Sequence, residues 1–411
     1  MIREFRRFMT VALTAAATVL SVTSCASAEP AAEPTAKPVP EPAAEKPAAE
    51  KPVAEKPAVK RFKTALYLDD GSAGNGVFHW IHLIANSPQL EFYGVTGQDV
   101  RDGKLKGMDI LVLPGGYSGR QYKSLREEGA RKVRDFVRAG GHYVGTCAGF
   151  ACTLNDKGRL KLLPFSRKPN SGGATAKITV DFSKEGAEIM GISPGRYVVR
   201  YSGGPIPIPG KKVVGGGEGK ILAVYKNTVS YVNKPEGNFF NEGAVLYGTL
   251  GKGKIIATSF HPEYWESTFP IVAGCFYAVT GVKTTFEFPE KKLHPLRVGF
   301  WSSGFPDVDR TNAFIALDRC ADIDLRIVTS HEFNLGDLRH LDALVVANDP
   351  TKGCKKLLQG KYNHEQLEAF LKRGGRIFAS GVGVESVPKH PNVTIVPVGG
   401  DFVEAVLKGC R

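Results

Sequence analysis

The stretch that most constrains this chain runs from Phe136 to Phe150. It reads as the end of an amphipathic helix, a Gly-Gly turn, a short buried strand and the pentapeptide Gly145-Thr-Cys-Ala-Gly149. Small residues around a reactive side chain, directly after a strand, are typical of a nucleophile elbow on a sharp strand-to-helix turn. Unpaired amide groups at the start of the following helix favour a thiolate over a thiol. The stretch therefore predicts that Cys147 is lifted out of a sheet as a reactive thiol.

Strands alternate with helices from residue 64 onward, which predicts an α/β fold. The predicted elements before the elbow are strands over 64–68, 90–95 and 108–113 and helices over 76–85 and 124–138. Such alternation implies a parallel sheet with ligands at the carboxyl ends of its strands. The segment after the elbow is rich in predicted strands, which run over 176–182, 196–201, 221–225, 244–249 and 254–259. A helix over 269–279 closes this domain near Val282.

Residues 1–28 are predicted to be an export signal, because three arginines precede an apolar run over 8–20 that is short for a membrane span. Two processing sites compete. Val22-Thr-Ser-Cys25 resembles a lipobox, in which Cys25 would be lipidated, and Ala26-Ser-Ala28 resembles an ordinary cleavage site. We favour the lipoprotein. The protein is then exported and anchored to the bacterial cell envelope through a lipid, facing the periplasm or the exterior.

Residues 29–61 contain three Ala-Glu-Lys-Pro repeats and no apolar side chain larger than valine. This composition predicts a disordered, semi-rigid linker. The whole chain carries 54 basic and 41 acidic side chains, a net charge of +13. These basic residues are scattered, with no dense basic run and no RNA-binding motif. They predict a solvated surface and no nucleic-acid partner.

A thiol nucleophile needs a base for its proton and a third group to orient that base. His261 ends a predicted buried strand, and Glu263 lies two residues further along. The backbone amide of Ala148, together with that of Gly115 or Gly116, is predicted to bind an oxyanion, because glycine permits close approach. This set predicts acyl transfer at a carbonyl, and we expect neither a metal nor a cofactor.

These motifs resemble the class I glutamine amidotransferase superfamily, in which Cys, His and Glu follow in this order. More closely, residues 62–283 are similar to the amidotransferase-like N-terminal domain of eukaryotic-type biotin–protein ligases. The shared motifs are the Pro114-Gly-Gly-Tyr117 loop, Cys147-Ala-Gly149, Tyr201-Ser-Gly203-Gly-Pro205 and the His261-Pro-Glu263 ending. The resemblance implies a flavodoxin-like fold and adds Tyr117, Tyr201 and Gly203 to the expected pocket.

Departures from the family limit what the resemblance implies. Glutamine-using members carry Gln two residues beyond the second elbow glycine, where this chain has Ala151. The chain also contains no Gly-Arg-Gly-Arg-type biotin-binding loop. We therefore expect no biotin ligation. The expected activity is that of a hydrolase or acyl transferase on an amide-type bond of an unknown small molecule or peptide. The alternative is a binding or scaffolding protein that keeps the pocket without turnover.

Residues 295–411 are predicted to be a second, degenerate α/β domain of the same type. Asp109-Ile-Leu-Val-Leu113 matches Asp342-Ala-Leu-Val-Val346 at an offset of 233, and Arg138-Ala-Gly-Gly141 matches Lys372-Arg-Gly-Gly375 at an offset of 234. Gly381 then stands where the first copy has Cys147. We therefore expect this domain to be non-catalytic.

Other residues that could bind or react have simpler roles in the same sequence. His79 and His82 lie three apart on a predicted helix, but no further ligand joins them at metal-site spacing, which favours packing or surface roles. Asp69 and Asp70 are expected to cap a loop. Among the seven cysteines, one disulfide within 320, 354 and 410 is plausible for an exported protein.

Overall fold

The computed structural model describes residues 60–169, 175–210, 217–227, 239–304, 306–330, 333, 337–349 and 353–410. The expected signal, Cys25 and the linker lie outside these residues. Within the described ranges, no helix is both long and apolar enough to cross a bilayer. The two predicted α/β domains are called here the first lobe (62–283) and the second lobe (295–411), and both belong to one compact unit.

The first lobe is built around a nine-stranded sheet. The strands of this lobe are β1 (Phe62–Tyr67), β2 (Leu90–Val95), β3 (Ile110–Leu113), β4 (His142–Thr146), β5 (Phe165–Arg167), β6 (Thr175–Phe182), β7 (Gly195–Ser202), β8 (Pro207–Pro209), β9 (Gly217–Tyr225), β10 (Gly243–Leu250) and β11 (Gly253–Thr258). Strands β5 and β8 form a separate two-stranded sheet, and the other nine form the large sheet. The order in the large sheet is β2-β1-β3-β4-β11-β10-β9-β6-β7.

This sheet has a parallel half and an antiparallel half. Strands β2, β1, β3, β4 and β11 pair in parallel, as the alternation of strands and helices predicts. Strands β10, β9, β6 and β7 extend the sheet in antiparallel pairs. Because β11 pairs with β4, the end of β11 lies beside the end of the strand that leads into Cys147.

Helices pack on both faces of the large sheet, with α5 on the antiparallel half and the others on the parallel half. They are α1 (Gly74–Ala85), α2 (Gly97–Arg101), α3 (Ser118–Ala139), α4 (Ala148–Thr153), α5 (Lys184–Met190) and α6 (Phe269–Thr280). One apolar cluster on one face of the sheet includes α1 and α6, and a second on the other face includes α3 and α4. The sheet is therefore buried on both faces, as expected for parallel strands that read as continuous apolar runs.

Two helices differ from the sequence prediction. Helix α3 begins at Ser118 instead of residue 124, because its first turns bury Gln121 and Leu125, and its backbone kinks at Arg126. Helix α2 was not predicted. It begins at a capping box in which the Thr96 hydroxyl accepts from the amide of Asp99 at 3.1 Å. The Thr-x-x-Asp spacing is the sequence signal for this helix.

The second lobe has a five-stranded parallel sheet of order β13-β12-β14-β15-β16. Its elements are β12 (Leu296–Trp301), α7 (Val308–Arg319), β13 (Ile323–Val328), β14 (Ala343–Val346), α8 (Gly353–Leu358), α9 (Lys361–Lys372), β15 (Arg376–Ala379), β16 (Val393–Ile395) and α10 (Phe402–Cys410). The order β13-β12-β14-β15 repeats the order β2-β1-β3-β4 of the first lobe. This repetition is what a duplication of the fold would produce.

The two lobes pack through α1 and α7. Phe78 of α1 contacts Phe300 and Phe314 with ring centroids about 5 Å apart. Asp318 of α7 accepts a hydrogen bond from the amide of Asn86 at 2.7 Å and pairs with His82 at 2.8 Å. The lobes therefore share an apolar core edged by buried polar contacts.

The six cysteines within the described residues are free thiols, including Cys320, Cys354 and Cys410. The expectation of a disulfide among these three is therefore not met. Cys354 is fully buried in the apolar cluster of the second lobe, whereas Cys410 packs beside the cluster shared by the two lobes.

Candidate active site at Cys147

Cys147 lies between β4 and α4 with φ 49° and ψ −97°, in the left-handed region that non-glycine residues seldom adopt. A strained residue at a strand-to-helix turn is the geometry of a nucleophile elbow. A Cβ at Gly149 would lie 2.0 Å from the Leu113 carbonyl oxygen, and one at Gly145 would lie 2.8 Å from Gly149. The two glycines therefore let the helix approach the sheet closely enough to form the turn.

The pairing of β4 with β11 brings His261 to Cys147. The amide of Cys147 donates to the carbonyl oxygen of Thr258, the last residue of β11, at 2.8 Å. Three residues later the amide of His261 donates to the carbonyl oxygen of Arg200 at 2.8 Å, which fixes the backbone of His261 against β7. Segments that are far apart in the chain thus meet at one edge of the sheet.

Glu263 orients the imidazole of His261. Nδ1 of His261 donates to Oε1 of Glu263 at 2.8 Å, which leaves Nε2 for the thiol. Only 4% of His261 is exposed to solvent and none of Glu263. Burial by itself lowers the pKa of His261. The Glu263 carboxylate, which accepts a hydrogen bond from the ring, and the neighbouring sulfur of Cys147 outweigh burial and raise this pKa from 6.5 to about 10.

The residues expected to supply oxyanion donors lie next to Cys147 or His261. Ala148 is the first residue of α4, so its amide has no acceptor within the helix. Gly115 lies against the imidazole, because a Cβ there would be 2.4 Å from Cε1 of His261. Gly116 lines the same cavity as Cys147. Helix α4 spans only six residues, so the helix dipole contributes less to the site than the sequence suggests.

Cys147 is 6% exposed and is reached through two cavities that meet at its side chain. The first, of about 410 Å³, is called the His261 cavity. The second, of about 380 Å³, is called the Ala151 cavity. Tyr117 and Gly203 were both expected at the pocket, and each of them lines both cavities.

Tyr201 does not line either cavity, contrary to the expectation from its motif. Its side chain is fully buried against Tyr225 and Phe239, and its hydroxyl donates to the Gly204 carbonyl oxygen at 2.6 Å. The neighbouring Ser202 reaches the site instead, because its backbone carbonyl oxygen lies 3.4 Å from Sγ of Cys147. Successive strand residues point to opposite faces, so only alternate residues of β7 face the cavity.

Two residues of the site carried no recognisable sequence signal. Arg200 and Tyr264 line the His261 cavity, and the guanidinium carbon of Arg200 lies 4.6 Å from the centre of the Tyr264 ring. An isolated arginine on a half-buried strand has many possible roles in a sequence. Its position beside Cys147 becomes visible only when β7 and the segment after β11 are placed together.

The second lobe repeats the elbow without a nucleophile. Gly381 has φ 52°, close to the value at Cys147. The amide of Val382, which corresponds to Ala148, donates to Oδ1 of Asn348 at 3.1 Å. Asn348 stands 233 residues after Gly115. In this lobe a side chain of the protein itself therefore occupies the position where the first lobe would bind an oxyanion.

The remaining candidate residues have structural contacts. Burial lowers the pKa of His79 to about 3, and His79 packs on Tyr264 at 4.3 Å. Asp69 accepts hydrogen bonds from Gly97 and Ser124 and so caps its loop, and Asp70 pairs with Arg120. Cys152 is buried, and burial raises the pKa of its thiol to about 12. None of these groups is arranged to act on a carbonyl.

Comparisons with known proteins include a family match that contains the elbow. The family "Biotin-protein ligase, N terminal" matches residues 102–154. A biotin–protein ligase of Schizosaccharomyces pombe is 28% identical over 189 residues, which cover 40% of this chain and 27% of that protein. The pyridoxal 5'-phosphate synthase subunit PdxT of Deinococcus radiodurans is 28% identical over 190 residues, covering 44% of this chain and 84% of the relative.

A solved ThuA-like protein from Parabacteroides merdae aligns with 56% of this chain and 94% of its own, at 17% identity and a TM-score of 0.39. The match to the fission-yeast ligase spans about a quarter of that protein's length. The relationship expected from the motifs is confirmed by the sequence matches: residues 102–154 match the biotin–protein ligase N-terminal family, and the chain is similar to class I glutamine amidotransferase subunits such as PdxT.

Proposed function

We propose that this protein is a cysteine-dependent hydrolase or acyl transferase that acts on an amide-type bond. The observation that carries the proposal is the arrangement of Cys147, His261 and Glu263, in which Cys147 and His261 line one cavity and Nδ1 of His261 lies 2.8 Å from Oε1 of Glu263. A protonated imidazole beside the sulfur favours the thiolate, which is the nucleophilic form.

The residues present are sufficient for the first half of such a reaction, the acylation of Cys147. Cys147 attacks the carbonyl carbon, and the amides of Ala148 and Gly116 bind the oxyanion. His261 transfers its proton to the leaving nitrogen, which leaves a thioester on Cys147. Glu263 stabilises the imidazolium and holds the ring orientation.

A screen for amine release tests the proposal. Purified protein is incubated with a set of small amides and dipeptides, and new primary amine or ammonia is measured against the Cys147→Ser variant. We expect the wild-type protein to cleave at least one compound that the Cys147→Ser variant does not cleave. Equal release by both proteins would show that Cys147 performs no acyl transfer.

The proposal includes export with a lipid anchor on Cys25. Its support is the sequence of residues 1–28, in which a lipobox-like segment follows an apolar run. Expression in a bacterial host with a labelled fatty acid should label the wild-type protein and not the Cys25→Ser variant. Label in both proteins would contradict lipidation at this cysteine.

The charged state of His261 predicts a pH dependence of stability. Because the folded pKa of about 10 lies above the ordinary 6.5, the stabilising contribution of this group is complete below about pH 6.5 and is lost as the pH rises to about 10. We expect the free energy of unfolding of the wild-type protein to fall over this interval by more than that of the His261→Gln variant. Urea unfolding at both ends of the interval measures the difference, and equal falls would contradict a charged His261.

A further inference from the structure

Cys147 lies at the base of a groove that consists of two cavities, called here the two arms of the groove. The His261 cavity and the Ala151 cavity share Gly116, Tyr117 and Gly203 as well as the sulfur, so a molecule that binds at the sulfur can extend to either side. Each cavity exceeds the lower limit of about 300 Å³ for small-molecule sites. A primary amide such as a free carboxamide side chain has a substituent on only one side of its C–N bond. The groove has space for substituents on both.

The position of His261 assigns a role to each arm. A general acid must reach the nitrogen that leaves, within hydrogen-bonding distance or through one water. His261 lines the first cavity and not the second. The leaving amine therefore lies in the His261 cavity. The acyl group lies in the Ala151 cavity, whose lining includes the small apolar side chains of Ala148 and Ala151 together with Arg120 and Arg167.

The charge of the leaving-group arm is one-sided. The guanidinium of Arg200 lines the His261 cavity and stacks on Tyr264, and among the described residues no carboxylate side chain lines this cavity. Thr175 and Ser202 also line this cavity, and their hydroxyl oxygens lie 2.9 Å apart. A planar guanidinium with hydroxyl neighbours is suited to binding a carboxylate.

Resting on the proposed function, we infer that the substrate is a substituted amide whose leaving amine carries a carboxylate, as in an N-acyl amino acid or the carboxyl-terminal bond of a peptide. The sulfur of Cys147 attacks the carbonyl carbon, the C–N bond breaks, and the nitrogen takes the proton of His261. Water then attacks the thioester, returns a proton to His261 and releases the carboxylic acid. Arg200 holds the carboxylate of the leaving amine.

Alkylation of Cys147 measures the charge preference without requiring turnover. Rates with iodoacetate and with iodoacetamide are determined for the Cys147 peptide by mass spectrometry, with Cys320 as the internal reference thiol. We expect the iodoacetate-to-iodoacetamide rate ratio at Cys147 to exceed that at Cys320, and to fall about tenfold in Arg200→Gln, because a charge pair near a protein surface contributes on this order. Arg196→Gln, an exposed arginine on the same strand, is the matched control and should leave the ratio unchanged.

Protection experiments test the substrate class. N-acetylglycine should slow the alkylation of Cys147 by iodoacetamide at concentrations where N-acetylglycinamide and acetamide do not, and Arg200→Gln should abolish this protection. A rate ratio that Arg200→Gln does not change, or protection by acetamide equal to that by N-acetylglycine, would overturn the inference. If Cys147 reacts no faster than Cys320 with either reagent, the proposed function fails instead, and the protection pattern still reports whether Arg200 binds carboxylates.

Discussion

Replacing His261 by glutamine is expected to lower the rate of amide cleavage by about 10²- to 10⁴-fold, the usual contribution of a general acid–base residue. Two effects combine. The sulfur loses the imidazolium that favours its ionised form, and the leaving nitrogen loses its proton donor. Glutamine keeps a hydrogen-bonding group of similar length at this buried position, so a loss of activity is not explained by an empty space.

The measurement is the amine-release assay with the compound that the screen identifies. His364→Gln is the matched control. Like His261, His364 lies near a glutamate, with Nε2 3.5 Å from Oε1 of Glu368, but it belongs to the second lobe and does not line either cavity at Cys147. We expect its rate to equal that of the wild-type protein. A His261→Gln rate within a few-fold of wild type would remove His261 from the mechanism.

Replacing Gly149 by valine is expected to destabilise the first lobe by at least ~3 kcal/mol, at the upper end of the cost of overpacking. A Cβ at this position would lie 2.0 Å from the carbonyl oxygen of Leu113, which belongs to β3 and cannot move without breaking the sheet. Helix α4 would have to leave the sheet, and the turn at Cys147 would open. Stability and Cys147 reactivity should therefore fall together.

Thermal and urea unfolding of the variant test this expectation. Gly119→Ala on α3 is the control, since a Cβ at Gly119 would meet no atom within 4 Å, and alanine favours a helix. We expect this control to be as stable as the wild-type protein or slightly more stable. A Gly149→Val protein with wild-type stability would show that the elbow does not depend on close packing of α4 on β3.

The parallel half of the first sheet was predictable from the sequence because its strands are short apolar runs between helices. The bounds of β2 match the predicted strand, and β1 and β3 differ from prediction by two residues at most at either end. The strands of the antiparallel extension were predicted individually, over 176–182, 196–201, 221–225 and 244–249, but their order and direction in the sheet were not. Their pairing depends on contacts between residues far apart in the chain, such as Val180 with Tyr225, which no local pattern specifies.

The candidate site was predictable where local sequence determines it. The small residues around Cys147 predict the turn, and the two-residue spacing of His261 and Glu263 allows the observed hydrogen bond. Arg200 was not predictable, because it reaches the site only through the backbone hydrogen bond between β7 and His261. Tyr201 was assigned to the pocket from its motif, but the alternation of β7 turns it into the core.

The comparison of the two lobes supports this interpretation of the site. Both keep a positive φ at the elbow, but only the first has a thiol and a histidine there. In the second lobe Asn348 bonds to the amide that would bind an oxyanion. The conformation of the elbow is thus a property of the fold, whereas the reactive set belongs to the first lobe alone among the described residues.

The pH dependence of Cys147 alkylation tests the central claim, that His261 activates this sulfur. An unassisted thiol has a pKa of about 8.5, so its alkylation rate rises about tenfold per pH unit between about pH 6 and pH 8. Iodoacetamide labelling is followed at the Cys147 peptide over this interval. We predict a rate that rises less steeply with pH in the wild-type protein than in His261→Gln, because the charged imidazole is lost in the variant. A wild-type rate that rises as steeply as that of the variant would contradict the claim.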